Sequence, residues 1–104
     1  REKLAGANVI LPAEHGRGTH VYHQFTIRSE RRDAIREALT KEGIASSVFY
    51  PLPLHRQPAY EALGKRVSLP AAEMLARTVL SLPIHPLLDE ASIERIAACV
   101  RKAA

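Results

Sequence analysis

Histidine and cysteine are the side chains here with the widest chemical repertoire, and their spacing limits what they can do. The nearest histidine pair is His20 and His23. A three-residue offset along an extended strand sends the two rings to opposite faces, so they cannot grip one ion together. Neither a cysteine pair nor helically spaced histidines offer a metal site instead. Cys99 lies on the flank of an amphipathic pattern, and no Gly-x-Ser-x-Gly elbow occurs, so its expected role is packing. Gly16 and Gly18 precede a strand and do not open a helix, which argues against a phosphate-cradling loop. The chain carries no self-contained set of catalytic residues.

One stretch does suit ligand contact: Phe49-Tyr50-Pro51-Leu52-Pro53-Leu54-His55, with Arg56, Gln57, Pro58, Ala59 and Tyr60 behind it. Its prolines hold the backbone on an extended path, so the rings of Phe49, Tyr50 and His55 are expected to be displayed at fixed positions. On the residues alone a second reading stays open, in which Tyr50 and His55 plug the end of a sheet.

These residues need elements to position them. Val9 to Pro12 reads as a short strand, and Ala13 to Gly18 as a loop. From His20 to Arg28, Val21, His23, Phe25 and Ile27 alternate with Tyr22, Gln24, Thr26 and Arg28, the period of a half-buried strand. On that pattern His23 is expected to be buried and hydrogen-bonded. Ser29 is the expected N-cap of a helix to Glu42 with Ala34, Ile35, Ala38 and Leu39 inward. Gly43 ends it, and Ile44 is expected to fold back on Leu39 in a Schellman motif. Ala45 to Tyr50 reads as a second strand. Pro58 to Leu63 predicts a helical turn, Pro70 to Arg77 a helix opened by proline, and Val79 to Ile84 a third strand. Asp89 caps a last helix whose Ile93, Ile96, Ala97 and Val100 share a face. Glu73 reads as a first-turn charge favourable to its helix dipole. The order implies an α+β domain of two layers: a short, mostly antiparallel three-stranded sheet with helices on one face. The first two strands would run parallel, and the third antiparallel beside or between them.

At 104 residues the chain has room for a single domain. Its 46% hydrophobic and 25% charged fractions exclude disorder and fibrous repeats. The net charge of +4 would permit nucleic-acid contact. Yet Arg28, Arg31, Arg32, Arg36 and Lys41 are interleaved with Glu30, Asp33, Glu37 and Glu42, which predicts a solvated, ion-paired helix and no nucleic-acid partner. A lone cysteine rules out an internal disulfide and fits a reducing, cytoplasmic setting. Pro51, Pro53, Pro83 and Pro86 interrupt the most apolar stretches, so no membrane span is expected. Arg1 to Ala7 lacks a signal-peptide core and reads as a cut inside a longer chain.

Several blocks together carry a family resemblance: His20-Val-Tyr-His-Gln-Phe-Thr-Ile-Arg28, Gly43-Ile44, Tyr50-Pro-Leu-Pro-Leu-His55, Leu69-Pro-Ala-Ala-Glu73, and Val79-Leu-Ser-Leu-Pro-Ile84 with Pro86. In order and spacing, from about Val9 to the end, the chain resembles the DegT/StrS-type sugar aminotransferases. That resemblance implies a fold-type-I enzyme whose large domain binds pyridoxal 5'-phosphate and whose small C-terminal domain helps to close the site, usually in a homodimer. It implies transfer of an amino group, commonly from glutamate, to a keto group of a nucleotide-linked sugar, although some relatives use the scaffold for dehydration. The cofactor acts as electron sink on a Schiff-base lysine. That lysine belongs to the large domain: Lys3, Lys41, Lys65 and Lys102 match no such motif and read as surface residues. Residues 1–19 would then be a lead-in strand and loop from the large domain, and residues 20–104 the small domain, inactive on its own. The resemblance places Tyr50 and His55 on the substrate-facing wall, with Phe49 where relatives often carry histidine or tyrosine. The alternatives are a free-standing α+β binding or regulatory module and a small basic nucleic-acid binder.

Overall fold

The computed structural model describes residues 1–64 and 67–104. Lys65, expected on the surface, lies outside the described residues. A 3-10 turn at Glu2–Leu4 is followed by strand β1 (Phe25–Arg28) and helix α1 (Arg32–Lys41). Two 3-10 turns, Leu54–Arg56 and Pro58–Tyr60, run into the single-turn helix α2 (Glu61–Gly64). Then come helix α3 (Pro70–Thr78), strand β2 (Val79–Leu82) and helix α4 (Glu90–Ala103).

The sheet has two strands, where the alternation predicts three. β1 and β2 pair antiparallel, with Phe25 opposite Leu82 and Arg28 opposite Val79. Isolated antiparallel bridges, Ile10 to Arg28 and Ser47 to Ser81, extend the ladder by one residue on either side. β2 therefore lies between β1 and Ser47 and antiparallel to both, the arrangement the crossover argument allows, but residues 45–50 contribute only one rung. On the Ser47 side the limit is Pro83, which has no N–H to donate where Ala45 would next pair. The first strand is also shorter than the expected nine residues, 20–28, and spans the four of Phe25–Arg28. Upstream, Tyr22 takes φ +50 and its N–H donates to His20 Nδ1 at 2.8 Å. The chain turns there, leaving Val21 85% exposed.

Along β1 and β2 the side chains alternate as a pleat demands. Phe25, Ile27, Leu80 and Leu82 face α1 and α4, where they meet Ile35, Leu39, Ile96, Ala97 and Val100. Ile27, Ile35, Leu39 and Val100 have no exposed surface at all. Each such side chain removed from water contributes about 1.5–3 kcal/mol. The opposite face is polar: Thr26 Oγ1 and Ser81 Oγ share a hydrogen bond of 2.9 Å.

The helix ends follow local chemistry. Gly43 takes φ +72, the Ile44 N–H donates to Leu39 O at 2.9 Å, and the Gly43 N–H donates to Thr40 O at 3.0 Å, which is the expected Schellman pattern. Asp89 accepts from the Ser92 N–H at 2.8 Å, and the Ser92 side chain first, with that N–H second, holds its carboxyl below the ordinary value. Ser29 does not cap α1 itself. Its Oγ accepts from the Arg31 N–H at 3.0 Å and closes a turn ahead of a helix that starts later than expected.

One further feature departs from the sequence reading. Arg32, expected in a solvated charged face, is buried and donates from Nη1 to Ala76 O and Val79 O, both at 3.1 Å, tying α1 to the end of α3. At the N-terminal end Leu4 enters the core and Arg101 donates to Lys3 O and Ala5 O at 2.6 and 2.9 Å. Lys3 pairs with Glu90 and Glu94 at 2.7 and 2.9 Å, and those bonds, that to Glu90 foremost, push its ammonium upward from the usual lysine value. No helix among the described residues is long and apolar enough to cross a membrane.

Candidate functional site

The stretch singled out by its prolines forms one wall of an open groove of about 390 Å³. Phe49, Tyr50, Leu52, Leu54 and Gln57 come from that wall, and Ala72, Leu75 and Ala76 of α3 face them. Phe49 and Tyr50 meet edge to face with ring centroids 5.4 Å apart. Both remain open to solvent, at 44% and 68%, so the display of these two rings is as expected. On its other side Phe49 borders a shallow hollow of about 200 Å³ lined by Ser46, Ser47 and Ser81 with His23 and Gln24. That hollow uses the polar face of the sheet. His23, expected in the core, is exposed here, because the strand that would have buried it begins only at Phe25.

His55 is not displayed. Its side chain keeps 8% exposure, and Nε2 lies 3.4 Å from Glu73 Oε1. Arg56 donates to the same oxygen from Nη2 at 2.9 Å and from Nε at 3.3 Å. Glu73 stands in the first turn of α3, as its dipole would favour, but its main work is to hold two consecutive residues of the facing wall. The Arg56 guanidinium first, and the His55 ring second, keep its carboxyl below the ordinary glutamate value. Among the described residues, His55 Nδ1 is buried with no partner. Sequence reasoning missed this cluster because it joins positions 17 and 18 residues apart across a turn-rich insert. The signal available was an acid one helical turn into a proline-opened helix, following a basic pair.

The arrangement is suited to binding, not to bond breaking. Aromatic faces and aliphatic walls take up planar or apolar groups, while serine hydroxyls and a histidine both donate and accept to hydroxyls. Cys99 lies elsewhere, half-buried against the core, and burial pushes its thiol upward. Among the described residues no three His, Cys, Asp or Glu side chains gather as a metal site. The described lysines also lie elsewhere. Lys3 is held by Glu90 and Glu94, Lys41 by Glu37 at 3.2 Å, and Lys102 borders a different hollow, between α1 and α4. None of these lysines borders the groove.

The sequence profile of the DegT/DnrJ/EryC1/StrS aminotransferase family matches residues 1–101. The chain belongs to this family. It is 46% identical to the UDP-N-acetyl-3-dehydro-alpha-D-glucosamine 3-aminotransferase of Acidithiobacillus ferrooxidans, over 97% of this chain and 27% of that protein. Among solved structures it is similar to Streptomyces venezuelae DesV in complex with a ketimine intermediate, at 42% identity and a TM-score of 0.90 over 97% of this chain and 28% of that one. It is also similar to the sugar aminotransferase Spr1654 of Streptococcus pneumoniae in its PLP form, at 28% identity and a TM-score of 0.82 over 98% of this chain and 28% of that one. The chain thus spans little more than a quarter of the length of the aminotransferases it matches. The groove and the hollow, which mixes serines with Ala45, Leu82, Pro83 and Ile84, meet at Phe49.

Proposed function

We propose that this chain is the C-terminal small domain of a pyridoxal-phosphate-dependent aminotransferase that moves an amino group, with glutamate as donor, onto the keto group of a nucleotide-linked sugar. Residues 1–19 lead in from the large domain and residues 20–104 form the small domain. The large domain supplies the Schiff-base lysine and holds the cofactor, and the enzyme works as a cytoplasmic homodimer. Phe49 and Tyr50 form the substrate-facing wall, with His55 behind them in the same wall. The observation that carries this reading is the exposed Phe49–Tyr50 pair, set between an apolar groove and a serine-lined hollow, in a chain that belongs to a sugar aminotransferase family and brings no described lysine to that groove. A sugar nucleotide has both characters, a planar base and a hydroxylated ring.

The test is transamination by the intact protein, with glutamate and a nucleotide-linked keto sugar. Tyr50→Ala is expected to raise KM for the sugar nucleotide roughly tenfold, the scale of one lost aromatic contact, and to change kcat little. The 104-residue chain alone is expected to show no imine absorbance with pyridoxal phosphate. Formation of that imine by the chain alone would refute the division of labour.

A further inference from the structure

We infer that Glu73 is a positioning residue that fixes the width of the substrate groove. The inference rests on the proposed role of that groove and adds a residue to it. The groove has two walls from separate parts of the chain, residues 49–57 and helix α3. Leu54 and Gln57 line it from the first wall, and Ala72 and Leu75 from the second. The residues between them, His55 and Arg56 on one side and Glu73 on the other, meet each other at 2.9–3.4 Å. One carboxylate oxygen thus joins the two walls behind the lining. The joined segment is short and holds itself by 3-10 turns, through Arg56 N to Pro53 O at 2.9 Å and Gln57 N to Leu54 O at 3.2 Å. Phe49 and Tyr50, at the far end of the same wall, depend on where that segment is anchored.

An anchored wall is ordered before the ligand arrives, so its loss weakens binding without touching the chemical step. In the intact enzyme, Glu73→Ala is expected to raise KM for the sugar nucleotide roughly tenfold at nearly constant kcat, the scale of one charge-assisted hydrogen bond. Glu73→Gln keeps the length and an acceptor oxygen and is expected to restore part of that loss. Arg56→Ala added to Glu73→Ala is expected to cost little more than Glu73→Ala alone, because the two act as a pair. Glu37→Ala, which breaks an exposed ion pair on α1, is the control and leaves KM unchanged. Amide exchange at Arg56 and Gln57 reads the anchor without any activity assay and is expected to quicken in Glu73→Ala. A folded Glu73→Ala enzyme with KM within twofold of wild type, beside a Tyr50→Ala enzyme with raised KM, overturns the inference while the groove assignment stands. Unchanged KM in both variants overturns the groove assignment and the inference with it. If Glu73→Ala fails to fold, Glu73→Gln and Arg56→Ala decide: unchanged KM and unchanged exchange in both refute the anchor.

Discussion

Arg32 and Glu73 show how a charged side chain can be read correctly for type and wrongly for place. Interleaved acids and bases around Arg32 signal a solvated helix face, and Glu37 with Lys41 obeys that reading. Arg32 instead reaches inward, because the carbonyls of Ala76 and Val79 at the α3–β2 junction need donors and a planar guanidinium can serve both from one nitrogen. Arg32→Ala strands two buried acceptors and is expected to destabilise the domain by about 2–4 kcal/mol, read as a shift in urea midpoint at constant m-value. Arg32→Lys is expected to recover less than half of that. Glu73 carries a pH dependence of definite sign. Its folded carboxyl lies below the ordinary value of 4.5, so the anchor is fully present above that value and is lost as pH falls through the lower folded one. Side-chain NMR signals of His55 and Arg56 are expected to shift together in that acid window, and Glu73→Gln is expected to abolish the shift.

At the scale of elements, what was legible was whatever is set by neighbours in sequence. The Gly43 stop, the return of Ile44 to Leu39, the Asp89 cap and the inward stripe of α4 are local, and the structure has each of them. Strand lengths were not legible, because a strand ends where its partner ends. The alternation from Val21 to Ile27 is sound, but the chain turns at Tyr22 and the strand holds only from Phe25, and with that the expectation of a buried His23 fails. The second strand is cut to one rung at Ser47, beside a Pro83 with no N–H to offer Ala45. Gly43 allows a clean test of local conformation, since a Cβ there would meet nothing within 4 Å. Gly43→Ala is expected to cost about 1–2 kcal/mol from the left-handed backbone alone, and Gly43→Asn less. Equal losses for the two in thermal denaturation would show that some other contact sets the cost.

At the scale of the whole molecule, the N-terminal 3-10 turn is part of the core. Leu4 sits in the core at 5% exposure, so Leu4→Ala is expected to cost about 2–4 kcal/mol in chemical denaturation of the chain. Large apolar side chains also stay open along the groove: Tyr50 at 68% and Leu54 at 66%. A surface of that kind calls for a covering partner. The isolated chain is expected to associate with rising concentration in sedimentation, and Leu54→Asp to reduce that association. Finally, the central place of β2 governs the order in which this sheet can be assembled. Thr26 and Ser81 touch across a span of 55 residues, and the Ser47 bridge is made to Ser81. A ribosome must therefore release most of the domain before β1 and Ser47 can be tied into one sheet. A premature stop ahead of Val79 would leave helices with no sheet to cover.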